Sequence, residues 1–220
     1  MYNGYMKTFS IREALKTGWE IIKNNLLFVI GTSFVYMIFN TNLGYRNWVE
    51  EGGDLSGGLD PMVLIPAIAI AIVFAVIQTI VQIGYYRIYL KLIDAGEKSK
   101  FSELFTNFHP FFRYIGTTLL YCVRVFLGFI LLIVPGIIWA IKFQFMPLLT
   151  IDKGLKPLEA MKESARMTEG HKWHLFKFGI VVMVVNILGF LCFVVGILIT
   201  APLTTLAYLH IYRKLSQGGA

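Results

Sequence analysis

Ile133-Val-Pro-Gly-Ile-Ile-Trp-Ala-Ile-Lys-Phe-Gln-Phe-Met-Pro147 is an apolar run entered through Pro135-Gly136 and stopped at Pro147, with one cation, Lys142, along its length. Before it lies a second apolar run, Phe111 to Val134, again with a single cation, Arg124. After it comes a charged amphipathic stretch, Leu155 to Glu169, and then a third apolar run. Two runs parted only by Pro135-Gly136 read as a tight helical hairpin. Apolar runs alternating with amphipathic stretches then account for the rest of the chain.

Composition agrees. The 220 residues are 56% hydrophobic and 15% charged, with mean hydropathy +0.66. A soluble domain carries about a quarter charged residues and about half apolar ones, so the excess here suits lipid as solvent. Cys122 and Cys192 both sit inside apolar runs and read as buried thiols, not as a disulfide framework or a metal pair. The formal charge of +7 collects at the ends of the runs, as in the cytoplasmic loops of membrane proteins. No nucleic-acid partner is expected.

The expected fold is all-α: one integral membrane domain, residues 1–220, with six spans. Residues Met1 to Phe9 read as a loose tail. Ser10-Ile-Arg-Glu13 reads as a capping box opening an amphipathic helix, residues 10–24, with Ile11, Ala14, Leu15, Gly18, Trp19 and Ile22 on one face. The first span is residues 25–41, followed by an acidic Gly-rich loop to Asp60. The second is 61–92, with Ala67, Ala71 and Ala75 at four-residue spacing and Gln78 and Gln82 continuing the stripe. Small residues let another helix approach, so this stripe is a packing face for a helix of this chain, a membrane partner or a second copy. Residues 101–112 form a second interfacial segment with Ser102 as a candidate N-cap. Spans 111–134 and 135–151 follow, then an interfacial helix at 155–170. Pro157 suits its first turn. Leu158, Met161, Ala165 and Thr168 share one face, and Glu159–Lys162 and Glu163–Arg166 are spaced to pair weakly. Spans 173–194 and 196–214 close the chain through a tight turn near Cys192 to Gly196. The pattern is three copies of one unit: interfacial amphipathic helix, span, span.

Lysine and arginine set the orientation. One side receives Lys7, Arg12, Lys16, Lys23, Arg87, Lys91, Lys98, Lys100, Arg113, Lys153, Lys156, Lys162, Arg166, Lys172, Lys177, Arg213 and Lys214, and the other receives only Arg46. Both termini and the three amphipathic segments are therefore expected in the cytoplasm, in a cell-membrane protein. Trp19, Trp173, Lys172, His171 and His174 are the expected interfacial anchors.

No zinc-protease, P-loop, nucleophile-elbow or CxxC pattern occurs. Every acidic residue falls outside the spans, which argues against a cation-coupled transporter. No catalytic residue, metal or cofactor is expected. Arg124 and Lys142 remain, about 16 Å and about 10 Å from the hairpin turn at 1.5 Å per residue. One reading is an anion site with Gln144 and Asn186, Thr200, Thr204 and Thr205 as neutral partners. The other is that each cation snorkels or caps carbonyls near Pro135 and Pro147.

The run Val134-Pro-Gly-Ile-Ile138 with Lys142 and Pro147, and the helix Leu158-Glu-Ala-Met-Lys-Glu-Ser164 ending at Gly170-His-Lys-Trp173, carry a resemblance. They are similar to the membrane domain attached to some glycerophosphodiester phosphodiesterases and to its stand-alone prokaryotic relatives. The resemblance implies a six-helix membrane domain without catalytic residues of its own. These 220 residues contain no phosphodiesterase domain, so that activity is not carried over. The expected function is a non-enzymatic membrane protein that binds anionic lipid or organises the envelope. The alternatives are a small transporter or channel for an anionic solute, and an accessory membrane subunit of a separate enzyme.

Overall fold

A computed structural model describes residues 9–40, 61–96, 100–106, 109–191 and 193–217. Within them every regular element is helical. They are α1 (Ile11–Asn24), α2 (Leu26–Asn40), α3 (Pro61–Ala95), a short 3-10 turn (Phe101–Leu104), α4 (Phe111–Leu131), α5 (Ile133–Phe143), α6 (Met146–Lys153), α7 (Pro157–Thr168), α8 (Lys172–Leu191) and α9 (Phe193–Gln217). The acidic loop, Arg46, Cys192 and most of the N-terminal tail lie outside the described residues.

Four stretches are long and apolar enough to cross a membrane: Ile68–Asp94, Phe111–Leu131, Ile133–Lys153 and Lys172–Leu191. The bent pair α1 and α2 makes a fifth if counted as one, and the two meet at 102°. Asn25 forms that corner. Its backbone N–H donates to Ile21 O and Ile22 O at 3.1 Å, and its carbonyl accepts from Val29 N at 2.9 Å. One residue thus closes the last turn of α1 and opens the first turn of α2.

The core is made by the C-terminal parts of three helical rods. Ile88 and Tyr89 of α3, Phe145, Met146 and Leu149 around the start of α6, and Leu206, Leu209 and Tyr212 of α9 are all buried in one cluster. The Phe145 ring stacks on Tyr208 at 5.3 Å. The same rods meet again at their charged ends. Arg213 donates to Asp94 at 2.5 Å and to Asp152 at 2.7 Å, while Tyr212 OH donates to Asp152 Oδ2 at 2.8 Å. Around this core, α2, α4 and α8 turn large apolar side chains outward, including Phe34, Phe112, Phe126, Met183 and Phe190.

Several details differ from the sequence reading. The hairpin turn is Leu132, whose φ of −176° and ψ of 160° make it the one extended residue between α4 and α5. Pro135 and Gly136 instead sit in the first turn of α5, where a proline loses no intrahelical bond. A Cβ at Gly128 would stand 3.0 Å from Gly136 Cα, so two glycines let the hairpin arms touch. Ser10 caps α1 as expected, accepting Glu13 N at 3.4 Å, but the Glu13 carboxylate takes Lys214 Nζ at 2.6 Å. Phe9 is not loose: it is buried, its ring 6.2 Å from both His171 and His174. Within 101–112 the described residues hold a 3-10 turn and the start of α4, and Lys100, not Ser102, stands at the N-cap position of that turn, its N–H donating to the Glu103 carboxylate at 3.3 Å. The buried face of α7 is Ala160, Ser164, Met167 and Thr168, while Leu158 is 61% exposed. Cys122 is exposed, because the outer side of α4 is itself apolar and faces away from the bundle.

Candidate functional site

Pro147 has no N–H to offer the carbonyl four residues back, and its ring crowds that carbonyl. The helix therefore breaks at Gln144-Phe145, between α5 and α6. Carbonyls freed inside an apolar bundle need other donors, and two neighbouring helices supply them. Lys142 O accepts from Ser164 Oγ at 3.0 Å and from Thr168 Oγ1 at 3.2 Å, both on α7. Ser164 Oγ also accepts from Phe145 N at 3.3 Å. Gln144 O accepts from Tyr208 OH of α9 at 2.8 Å. The break is thus a junction where α5, α6, α7 and α9 are held by hydroxyl groups.

The sequence singled out Arg124, Lys142, Gln144 and Asn186, and the structure separates their roles. Lys142 is half-buried and its ammonium lies 5.4 Å from the Phe143 ring centre. Arg124 is half-buried on α4 and makes no hydrogen bond or ion pair within the described residues. Neither cation lines the grooves around Gln144. Gln144 lies where it was expected to matter. Its Nε2 is buried and meets no hydrogen-bond partner among the described residues. Asn186 ties α8 to α9, donating to Val182 O at 2.9 Å and to Thr204 Oγ1 at 3.3 Å. Thr204 and Thr205 in turn donate to Ala201 O at 3.0 and 2.9 Å.

A second hydroxyl network joins α2 to α3. Tyr89 OH lies 2.8 Å from Ser33 Oγ and 3.4 Å from Thr32 Oγ1, and donates to Val29 O at 3.3 Å. Gln82 is half-buried on α3, while Ala75, on the same stripe, is exposed and Ala71 is half-exposed. The side chain of Ala67 lies outside the described residues.

At the charged end, the expected anchors take different positions. Trp19 is 41% exposed with Lys23 Nζ 5.4 Å over its ring. Trp173 is 66% exposed and stacks on Phe176 at 5.3 Å. Lys172 and His174 are exposed, while His171 is buried beside Phe9. Burial, and then the charge of His174, hold the His171 imidazole below its ordinary value of 6.5. Glu163 takes Arg166 in a two-point pair at 2.8 and 2.9 Å, which holds its carboxyl below the usual carboxylate value. Glu159 does not reach Lys162; it accepts Lys156 N at 3.1 Å and caps α7. Arg12, Lys16, Lys23, Lys100, Lys156, Lys162, Lys172 and Lys177 are exposed.

The sequence sets Thr168 on the apolar face of its helix but assigns no role to Ser164 or Tyr208, the other residues that make the junction. Their signal is a Ser and a Thr four apart on one helix, opposite a proline break, and periodicity of apolar residues alone does not say what such hydroxyls bind.

Residues 63–215 match a family described as a domain of unknown function, DUF7847. An uncharacterized protein of Mycobacterium bovis is 24% identical to this chain over 230 aligned positions, covering 96% of the chain and 70% of the relative. Two uncharacterized proteins of Mycobacterium tuberculosis are similar at the same 24% identity and the same coverage. No solved structure matches the chain.

Proposed function

The chain belongs to the DUF7847 family, and from that premise we propose that it is a non-enzymatic integral membrane protein that gathers anionic lipid at its cytoplasmic face. In this reading α2, α3, α4, α5 with α6, α8 and α9 are six spans, arranged as three hairpins with both termini in the cytoplasm. The C-terminal parts of α3, α5 with α6, and α9 are the three returning arms, and α2, α4 and α8 are the outer arms that meet lipid. Each hairpin is preceded by an amphipathic or capping segment: α1, the Phe101–Leu104 turn, and α7. The spans Ile133–Lys153 and Phe111–Leu131 are 21 residues each, about 31 Å at 1.5 Å per residue, which suits a hydrocarbon core of about 30 Å.

One observation carries the lipid assignment. Basic side chains stand close to where Asp94, Asp152 and Arg213 meet, with Lys91 on Glu103, Lys153 near Glu163 and Lys214 on Glu13, and those on α1 are exposed. Ala14, Gly18 and Ile22 of α1 are buried against α9, where Leu203 and Leu206 meet Gly18. Arg12, Lys16 and Lys23 are left exposed, with Lys16 only 3.9 Å from Glu20 in a loose pair. Such side chains are each worth about 1 kcal/mol near an anionic membrane surface. The half-buried Arg124 and Lys142 support an anionic solute pathway less well, because the grooves near them are lined without either.

The test is native mass spectrometry of the purified chain with phosphatidylglycerol and phosphatidylcholine. Replacing Arg12, Lys16 and Lys23 together by Gln is expected to cut the preference for phosphatidylglycerol by about fivefold per charge, with the fold intact. An unchanged preference in the triple variant contradicts the proposal.

A further inference from the structure

Contacts among three helices bring three cations to one height. Gly128 meets Gly136, and Thr117 Oγ1 lies 2.9 Å from Thr150 Oγ1, which fixes the register of α4 against α5 and α6. Arg124 stands four residues from Gly128, on the face it shares with Thr117, and Lys142 stands six residues from Gly136. Between those two contacts the register sets Arg124 and Lys142 level to within about one residue's rise of 1.5 Å. Ile141 and Gln144, on either side of Lys142 in the chain, line one groove with Phe176 and Gly179, on either side of Lys177. Lys177 of α8 therefore belongs to the same layer. Arg124 and Lys142 are half-buried, and Lys177 is exposed.

This layer differs from the charged end in what surrounds it. Lys91, Lys153, Arg166, Arg213 and Lys214 each face a carboxylate. Among the described residues none of the three layer cations does, and the Lys142 ammonium has only the Phe143 ring. Toward the Leu132 turn, residues 125–141 and 178–191 carry no charge. That uncharged height is about 15 Å from Lys142 to Leu132 and about 21 Å from Lys177 to Leu191, against a hydrocarbon core of about 30 Å. Polar surface also climbs to the layer from below. Ser164 and Thr168 donate to Lys142 O, so α7 doubles back along α6 and ends beside Lys142. Arg166, Glu169 and Lys172, near that end, are all exposed. A cation held unpaired in hydrocarbon is strongly unfavourable, and local thinning of the bilayer relieves it at a modest cost per ångström.

We propose that phospholipid phosphates of the cytoplasmic leaflet are drawn up beside α7 to the layer of Arg124, Lys142 and Lys177, so that the bilayer is thinned on that side of the bundle. Lys177, the exposed member, meets the phosphate first, and a guanidinium such as that of Arg124 suits a phosphate through two parallel donors. Above Lys177 the exposed Ile180, Met183, Val184 and Ile187 of α8 receive the acyl chains. On the outer face of α4, Leu119 and Phe112 remain exposed below the layer, so the depression is one-sided. The proposal deepens the lipid reading above and rests on α4, α5 and α8 as spans. Its site shares no residue with the basic residues of α1, so each assignment can fail alone.

The experiment measures depth. A nitroxide is attached at Ile180→Cys in the full chain, with Cys122 and Cys192 replaced by serine, and its access to oxygen is compared with its access to a water-soluble nickel chelate. In vesicles of phosphatidylcholine with phosphatidylglycerol the label is expected within about 5 Å of the phosphates, three residues above Lys177. In a bilayer of ordinary thickness the same position lies near the middle, about 15 Å from either surface. Replacing Arg124, Lys142 and Lys177 together by Leu is expected to move the label about 10 Å toward the middle. The unaltered layer in vesicles of digalactosyldiacylglycerol, which has no phosphate, is expected to give the same inward shift, whether or not the triple variant folds. Replacing Arg12, Lys16 and Lys23 by Gln is expected to leave the label shallow, which separates this site from α1. A label near the middle in the phospholipid vesicles overturns the proposal. So does equal depth in phospholipid and glycolipid, or an unchanged depth in the folded triple Leu variant.

Discussion

At Lys142 the backbone carbonyl matters more to the fold than the ammonium. That carbonyl lost its helical donor to the break before Pro147 and regained two, from Ser164 and Thr168. The side chain only lies along Phe143. Gln144 shows the same division, with its carbonyl met by Tyr208 and its amide unmet. Ser164→Ala alone leaves Lys142 O covered by Thr168 but removes the acceptor of Phe145 N, and is expected to cost about 1–3 kcal/mol. Combined with Thr168→Val it also leaves that carbonyl without a donor and is expected to cost about a further 1–3 kcal/mol. Thermal unfolding in detergent checks this: the double variant is expected to lose clearly more than the two singles added. Simple additivity would mean that the two hydroxyls do not share one acceptor. Residue types alone flagged Lys142 and Gln144 but could not show which of their atoms mattered. That depends on which helices stand beside the break, and no spacing within one helix contains it.

The helices were legible because apolar runs of this length leave few alternatives, and their ends were legible to within about three residues, although the break at Gln144-Phe145 was not. Ser10 as cap of α1 was local and therefore readable. The partner of Glu13 was not, since Lys214 lies 201 residues away. The α4–α5 turn was misplaced because Pro135-Gly136 is a familiar turn pair. In the structure Leu132 makes the turn, and the proline and glycine serve the first turn of the next helix and its contact with Gly128. Gly84 is a comparable case on α3. It is the point where the 3-10 turn Phe101–Leu104 crosses the helix, and a Cβ there would overlap the Leu104 backbone. Gly84→Ala cannot be absorbed by moving a flexible side chain, so the turn or the helix must shift. Overpacking of this kind costs about 1–3 kcal/mol. Limited proteolysis near residue 100, with thermal unfolding, checks it: the variant is expected to be cut faster there and to melt lower. Unchanged cleavage and melting would show that the contact is loose.

For the molecule as a whole, the physical argument joins two distributions. Apolar side chains face outward along α2, α4 and α8, where a soluble protein of this size does not tolerate such a patch. Basic side chains gather at the end where the three core rods are tied by Arg213, Asp94 and Asp152. The first distribution is compatible with an apolar solvent around the bundle, and in the proposed reading the second gives the bundle a direction in it. The lipid assignment at the basic collar presupposes that direction. It is tested most directly by reporter fusions placed after Glu51, after Lys98, after Lys162 and at Ala220, each assayed for activity on either side of the membrane. The account predicts outside, inside, inside and inside. An outside signal at Lys162 would contradict it, because α7 and the basic residues beside it would then lie on the wrong face.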